Sequence, residues 1–245
     1  MLKKVPKKKE ISLDAQEMLK AGLHFGHRTS RIHPKMEGFV YGIRNSIHII
    51  DLEKTKEKFE KALGFIDSLV SEGKTILFVG TKIQWKELVQ KAAEEIEFPY
   101  VVERWLGGTF SNFETIKKRV SYFKELEERK KSGELDKYSQ KERADFEKEL
   151  QELNLKFGGI KNMEKLPDTI FVLDMKKDAL AIREARRAGI KVIGVADTNV
   201  DPFLADFVIP ANDDAISSIK YILEKVKEVI QKAKSKTTKD KIVNS

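Results

Sequence analysis

From Thr75 onward the chain alternates short, wholly apolar runs with longer stretches in which apolar residues recur every three or four positions. "TILFVG" (75–80) is followed by Ile83, Leu88, Val89, Ala92, Ala93 and Ile96 at helical spacing, and then by "PYVV" (99–102). After an interruption the rhythm resumes with "TIFVLD" (169–174) and a helix through Leu180, Ile182, Ala185 and Ala188. "KVIGVAD" (191–197), "DFVIP" (206–210) and a last helix from Asp213 complete it. An apolar run without alternation fits a strand buried on both faces, and helices between such strands supply the cover. With right-handed crossovers, the predicted fold is α/β: a doubly wound, flavodoxin-like or Rossmann-like, mainly parallel sheet of five strands.

Ahead of this core, "SLDAQEMLKAG" reads as a short helix capped by Ser12 and ended by Gly22. "LHFGHRTSRIHPKM" has no period and reads as an ordered loop. "FVYGIRNSIHIIDL" reads as a hairpin about a Gly-to-Asn turn, and Glu53 to Ser71 as a helix stopped by Gly73. The interruption carries Phe113, Ile116, Val120 and Phe123, then the turn "KKSGELDKYS", then Phe146, Leu150, Leu153 and Phe157. That is the seam of an antiparallel helical hairpin inserted in the sheet, each arm projecting about 27 Å at 1.5 Å per residue. Its twelve basic and eleven acidic residues nearly cancel. A docking arm for another protein and a structural lid are both open. The resulting division is an α/β core (12–111 and 158–235), a protruding coiled-coil hairpin (112–157), a basic flexible arm (1–11) and a flexible tail (236–245).

Charge and composition narrow the function. The net charge of +8 sits at the ends: residues 1–44 hold ten Lys/Arg against four acids, and residues 220–245 hold eight against three. "MLKKVPKKKE" lacks the apolar core of a signal peptide, and it suits either a phosphate-neutralising arm or a solubilising tail. The absence of cysteine excludes disulfides, thiol catalysis and cysteine-based metal sites, and it fits a cytoplasmic location. No apolar stretch is long enough to cross a bilayer, so no membrane association is expected.

Sheets of this kind take ligands outside the carboxyl ends of their strands, which here carry Gly80-Thr81-Lys82, Asp174 and Asp197-Thr198-Asn199. Asp174 and Asp197 could share a magnesium ion or present a phosphoacceptor, but the favoured reading is structural, as helix N-caps or loop residues. "GTK" lacks the other parts of a Walker loop, and no G-x-G-x-x-G or G-x-S-x-G occurs. His24, His27, His33 and His48 crowd together, but His24-x-x-His27 wants two further ligands. Nucleotide hydrolysis and dinucleotide binding lose their usual handles; no catalytic residue, metal or cofactor is assigned, and a phosphate- or magnesium-dependent enzyme using the strand-end carboxylates stays open as the alternative. A nucleic-acid interface uses the same residues better, because "HFGHRTSRIHPK" interleaves stacking rings with phosphate partners. The candidate contacts are His24, Phe25, His27, Arg28, Arg31, Lys35, Arg44, Lys82, Arg104 and Trp105. Phe25 and Trp105 are read as stacking or packing anchors. In "RWLGGTFSNF" the glycine pair allows a sharp turn, Thr109, Ser111 or Asn112 can cap the hairpin, and exposed N–H groups there can receive an anion.

"AGLHFGHRTSRIHPKM", "GIRNSIHIIDLEKT", "ILFVGTK", "RWLGGTFSNF", "GGIKNMEKLPDTIFVLD" and "GVADTNVDP...DFVIPANDDA" follow one another in the order found in a known family. Over about residues 12–230 the chain resembles the bacterial form of the small-subunit ribosomal protein S2 family, and only the two tails depart from it. The resemblance implies a non-enzymatic constituent of the small ribosomal subunit, placed late in assembly on the solvent side near the head–body junction. It implies contacts with small-subunit rRNA and neighbouring ribosomal proteins, including support for docking the large mRNA-binding protein of that subunit. It also implies a flavodoxin-like sheet with an inserted helical hairpin.

Overall fold

The structure is a computed structural model that describes the backbone of residues 13–243 and the side chains of 13–236. The arm at 1–11 and the cap expected at Ser12 lie outside the described residues. Five strands form the parallel sheet: β4 (Ile76–Val79), β5 (Tyr100–Val101), β6 (Thr169–Val172), β7 (Lys191–Ala196) and β8 (Phe207–Pro210). They lie in the order β5-β4-β6-β7-β8 with every pair parallel, which is the flavodoxin arrangement.

Alternate residues of these strands feed two separate cores. Ile76, Phe78, Phe171, Leu173, Ile193 and Val195 point into one, under α2 (Leu52–Ser71), α3 (Lys86–Glu95) and α7 (Ile216–Val243). Leu77, Val79, Ile170, Val172, Val192 and Ala196 point into the other, under α6 (Ala179–Arg187) and the base of the hairpin. This two-sided burial is why the strands read as unbroken apolar runs. Each fully covered side chain of this size contributes about 1.5–3 kcal/mol.

The helical hairpin consists of α4 (Phe113–Lys131) and α5 (Gln140–Phe157). Ser139 and Glu142 close a capping box at the start of α5. Ile116, Val120, Phe123, Leu126, Leu150, Leu153 and Phe157 are buried in one cluster with the second sheet core, so the seam runs into the sheet without a break. The Lys130–Glu147 pair (3.0 Å) and the Lys161–Glu127 pair flank it. At its foot Gly159 lies against the edge strand: a Cβ there would stand 2.2 Å from the Tyr100 carbonyl oxygen.

Before the sheet come α1 (Ala15–Ala21) and a small antiparallel sheet of β1 (Phe25–Arg28), β2 (Val40–Arg44) and β3 (Ile47–Ile50) in the order β1-β3-β2. Four details differ from the sequence reading. Asp14 caps α1, its Oδ1 accepting from Gln16 N at 2.9 Å. Part of the expected loop is strand β1, which shows no alternation because Gly26 and His27 lie on the polar Thr198 and not on apolar side chains. The hairpin turns at Asn45-Ser46, both with positive φ as a two-residue turn requires, while Gly42 stays in β2 opposite Ile49. Finally, α7 continues to Val243, through most of the segment read as a flexible tail, since no glycine or proline follows Pro210 to stop it.

Gly159→Ala is expected to lower stability by about 2 kcal/mol, because backbone rather than a flexible side chain blocks the added methyl. Gly38→Ala, with nothing within 4 Å, serves as the control. Urea denaturation of the two variants compares them directly.

Candidate nucleic-acid interface

The chain reverses its winding between β4 and β6, and the crevice outside their carboxyl ends is the place where such sheets hold ligands. Here the chain's own ions occupy it. Lys82, just past β4, sends its ammonium to Asp174 Oδ2 after β6 (2.7 Å) and to Asp213 Oδ1 (2.8 Å) and Asp214 Oδ1 (3.0 Å) after β8. Asp174 Oδ1 caps the following turn, accepting from Lys176 N (3.0 Å) and Lys177 N (2.7 Å). Burial opposes the charge on Lys82, and Asp213 and Asp174 outweigh it, so its pKa stands above the ordinary lysine value. Burial, followed by the charges of Asp174 and Asp197, pushes Asp213 up to about 7. Asp178, buried and accepting from the Thr81 hydroxyl at 2.8 Å, is pushed up to about 6 chiefly by burial.

The same cluster fastens the N-terminal segment. His27 Nδ1 lies 3.1 Å from Asp197 Oδ2 and its Nε2 lies 3.5 Å from Asp214 Oδ2. The hydrogen bond to Asp197 is the main reason that its pKa is raised. His27 N donates to Thr198 Oγ1 (2.9 Å), and His33 N donates to the Thr198 carbonyl (2.8 Å). His27, Asp197 and Asp214 are the one group of described residues able to converge on a cation, their ligand atoms lying within 4.8 Å of one another. His24 takes no part in it.

The remaining candidates separate into outward and inward groups. Arg28, Arg31, Arg44 and Arg104 are exposed, and their guanidinium groups make no hydrogen bond or ion pair to any described residue. Arg28 and Arg44, sixteen positions apart in sequence, both face Ile47 in the small sheet and so stand in one row across it. Phe25 is 46% exposed, with the His24 ring 4.0 Å away, and burial lowers the pKa of His24. Lys35 is exposed but pairs with Asp201 at 2.6 Å. Two candidates lie inward. Lys82 is held among carboxylates and is not free for phosphate. Trp105 is 5% exposed and packs edge-on against Phe110 at 4.9 Å, so it is a core anchor and not a stacking surface.

The "RWLGG" loop does receive an anion, and that anion is internal. The buried Glu184 of α6 accepts from Gly108 N (2.8 Å) and Phe110 N (3.0 Å). Gly108, at φ +94°, makes the turn that allows this. Asn112 occupies the cap position of α4, where its Oδ1 takes the Thr115 hydroxyl and no backbone N–H. The sequence reading missed Glu184; the signal was a glutamate beside Ala181 and Ala185 on the apolar face of α6.

The profile of the family described as ribosomal protein S2 matches residues 18–233. The chain belongs to the ribosomal protein S2 family. A relative, the small ribosomal subunit protein uS2 of Coprothermobacter proteolyticus, is 46% identical over 215 residues, covering 88% of this chain and 80% of the relative. The S2 match begins within α1 and ends within α7, so it includes the small sheet, the ion cluster and the whole hairpin. No described helix of this S2 chain is long and apolar enough to cross a membrane.

Lys82→Met leaves Asp174 and Asp213 without their cation and is expected to cost about 3 kcal/mol. The deficit shrinks between pH 8 and pH 5. Asp213 already has a raised pKa of about 7 and takes up a proton in the folded state before the unfolded chain does. Urea titrations at the two pH values check both statements.

Proposed function

We propose that this protein is a structural, non-enzymatic constituent of the small ribosomal subunit that binds small-subunit rRNA and neighbouring ribosomal proteins in the cytoplasm. The observation that carries this reading is the contrast between its two sets of charges. Charges at the ligand end of the sheet are matched internally, whereas Arg28, Arg31, Arg44 and Arg104 face outward unmatched by any described residue. Unmatched guanidinium groups are suited to phosphate, and their contacts give affinity and position more than sequence choice. Phe25 adds an exposed ring in the same strand as Arg28. The alternative, a phosphate- or magnesium-dependent enzyme, requires free carboxylates at Asp174 and Asp197. Both are engaged by Lys82, His27 and backbone N–H groups.

The domain reading is retained as part of the proposal: an α/β core at 12–111 and 158–235 carries the rRNA contacts, and the hairpin at 112–157 docks protein. The hairpin's outer faces mix both signs of charge, which suits a protein neighbour better than a phosphate backbone. Candidate neighbours include the large mRNA-binding protein of the same subunit.

Arg28→Ala and Arg104→Ala proteins are expected to enter small subunits less well than wild type, with the deficit largest at low salt and narrowing as salt rises. Each lost phosphate contact lowers the slope of log affinity against log salt by roughly one. Incorporation equal to wild type across a salt series of sedimentation runs contradicts the assignment. Deleting 114–156 is expected to reduce the occupancy of a neighbouring protein while rRNA binding persists. Mass spectrometry of purified subunits reads both.

A further inference from the structure

The loop between β7 and β8 carries an aromatic ring for which the fold has no use. Phe203 is 66% exposed, whereas Phe59, Phe78, Phe123 and Phe171 are fully buried. Its backbone is nonetheless rigidly held. Asp201 accepts from Phe203 N at 3.0 Å, Pro202 beside it is buried, and Arg186 of α6 reaches the Phe203 carbonyl at 3.5 Å. Lys35 Nζ stands 5.7 Å from the ring centroid while pairing with Asp201. Arg183 and Arg187 are exposed on the same helix as Arg186, and their guanidinium groups make no hydrogen bond or ion pair to a described residue. The two acids nearest Phe203 in sequence, Asp201 and Asp206, pair with Lys35 and Lys191 at 2.6 and 2.7 Å.

We propose that Phe203 is a stacking platform for an unpaired RNA base, with Arg186 and the exposed arginines of α6 flanking the adjoining phosphates. The proposal rests on the rRNA-binding reading and extends it to a second surface. A fixed, exposed ring bordered by cations fits a base better than an apolar protein side chain, because each base offers a π-face and carries an anion beside it. The platform is also continuous with the first surface. His33 N bonds the Thr198 carbonyl and Lys35 bonds Asp201, so the Arg28–Arg31 segment and the Phe203 loop are fastened together. A single strand can cross from one to the other, whereas a duplex keeps its bases stacked inside.

The test uses the full chain with fluorescein-labelled twelve-residue oligoadenylate, free or annealed to oligouridylate. Phe203→Ala and Phe203→Leu are expected to weaken single-strand binding by roughly tenfold, the scale of one lost base stack, with duplex binding within about twofold of wild type. Phe203→Trp is expected to retain single-strand affinity and to show fluorescence quenching by the oligonucleotide. Trp85 and Trp105, at 1% and 5% exposure, are shielded from that quenching. Unchanged single-strand affinity in Phe203→Ala, or equal losses on strand and duplex, overturns the stacking role. Failure of wild type to bind either probe counts against the rRNA reading itself.

Discussion

The Lys82 ammonium is the contact on which the carboxyl end of the sheet depends. Three buried carboxylates, Asp174, Asp197 and Asp213, follow three different strands, and burial, with the charges of the other two added, pushes Asp213 up to about 7. Left alone, such groups repel and resist losing water. One lysine, 18% exposed, answers Asp174 and Asp213 directly, and His27 answers Asp197. The cluster thereby joins β4, β6, β7 and β8 to the N-terminal segment. It also fills the crevice that a flavodoxin-like sheet offers to ligands.

The second internal ion acts in the same manner at the other junction. Glu184 takes two backbone N–H groups of the loop that leads into α4, so the hairpin starts from a fixed position. A carboxylate buried with matched donors holds a loop more firmly than apolar contact does, because losing it strands polar groups on both sides. The hairpin seam then continues the sheet's second core, and the hairpin grows out of the fold as one packed unit.

Much of this was legible in the sequence, for reasons visible in single elements. The runs ILFV, IFV and VIGVA are apolar throughout because both faces of the sheet are covered, so period and length identify them without help from contacts. The hairpin was legible because Ile116, Val120, Phe123, Leu150, Leu153 and Phe157 keep helical spacing on both arms. β1 was not legible, since it packs on Thr198 and leaves no apolar alternation. Among the candidate contacts, the loop arginines face outward as read, but chemistry alone could not separate Lys82 and Trp105 from them. A lysine in a loop and a tryptophan beside glycines look the same whether they end inside or out.

The sequence by itself determined the layered α/β plan, the inserted hairpin and the family, because periodicity and co-linear motifs are properties of the chain read locally. Only the tertiary structure decided which charges are consumed. Lys82 meets Asp213 131 positions away, Glu184 meets Phe110 across 74, and Lys35 meets Asp201 across 166. Pairing over such distances depends on how the layers stack, and no local pattern encodes it. What the packing leaves unpaired, the arginines of the small sheet and the exposed ring of Phe203, is the surface available to a partner.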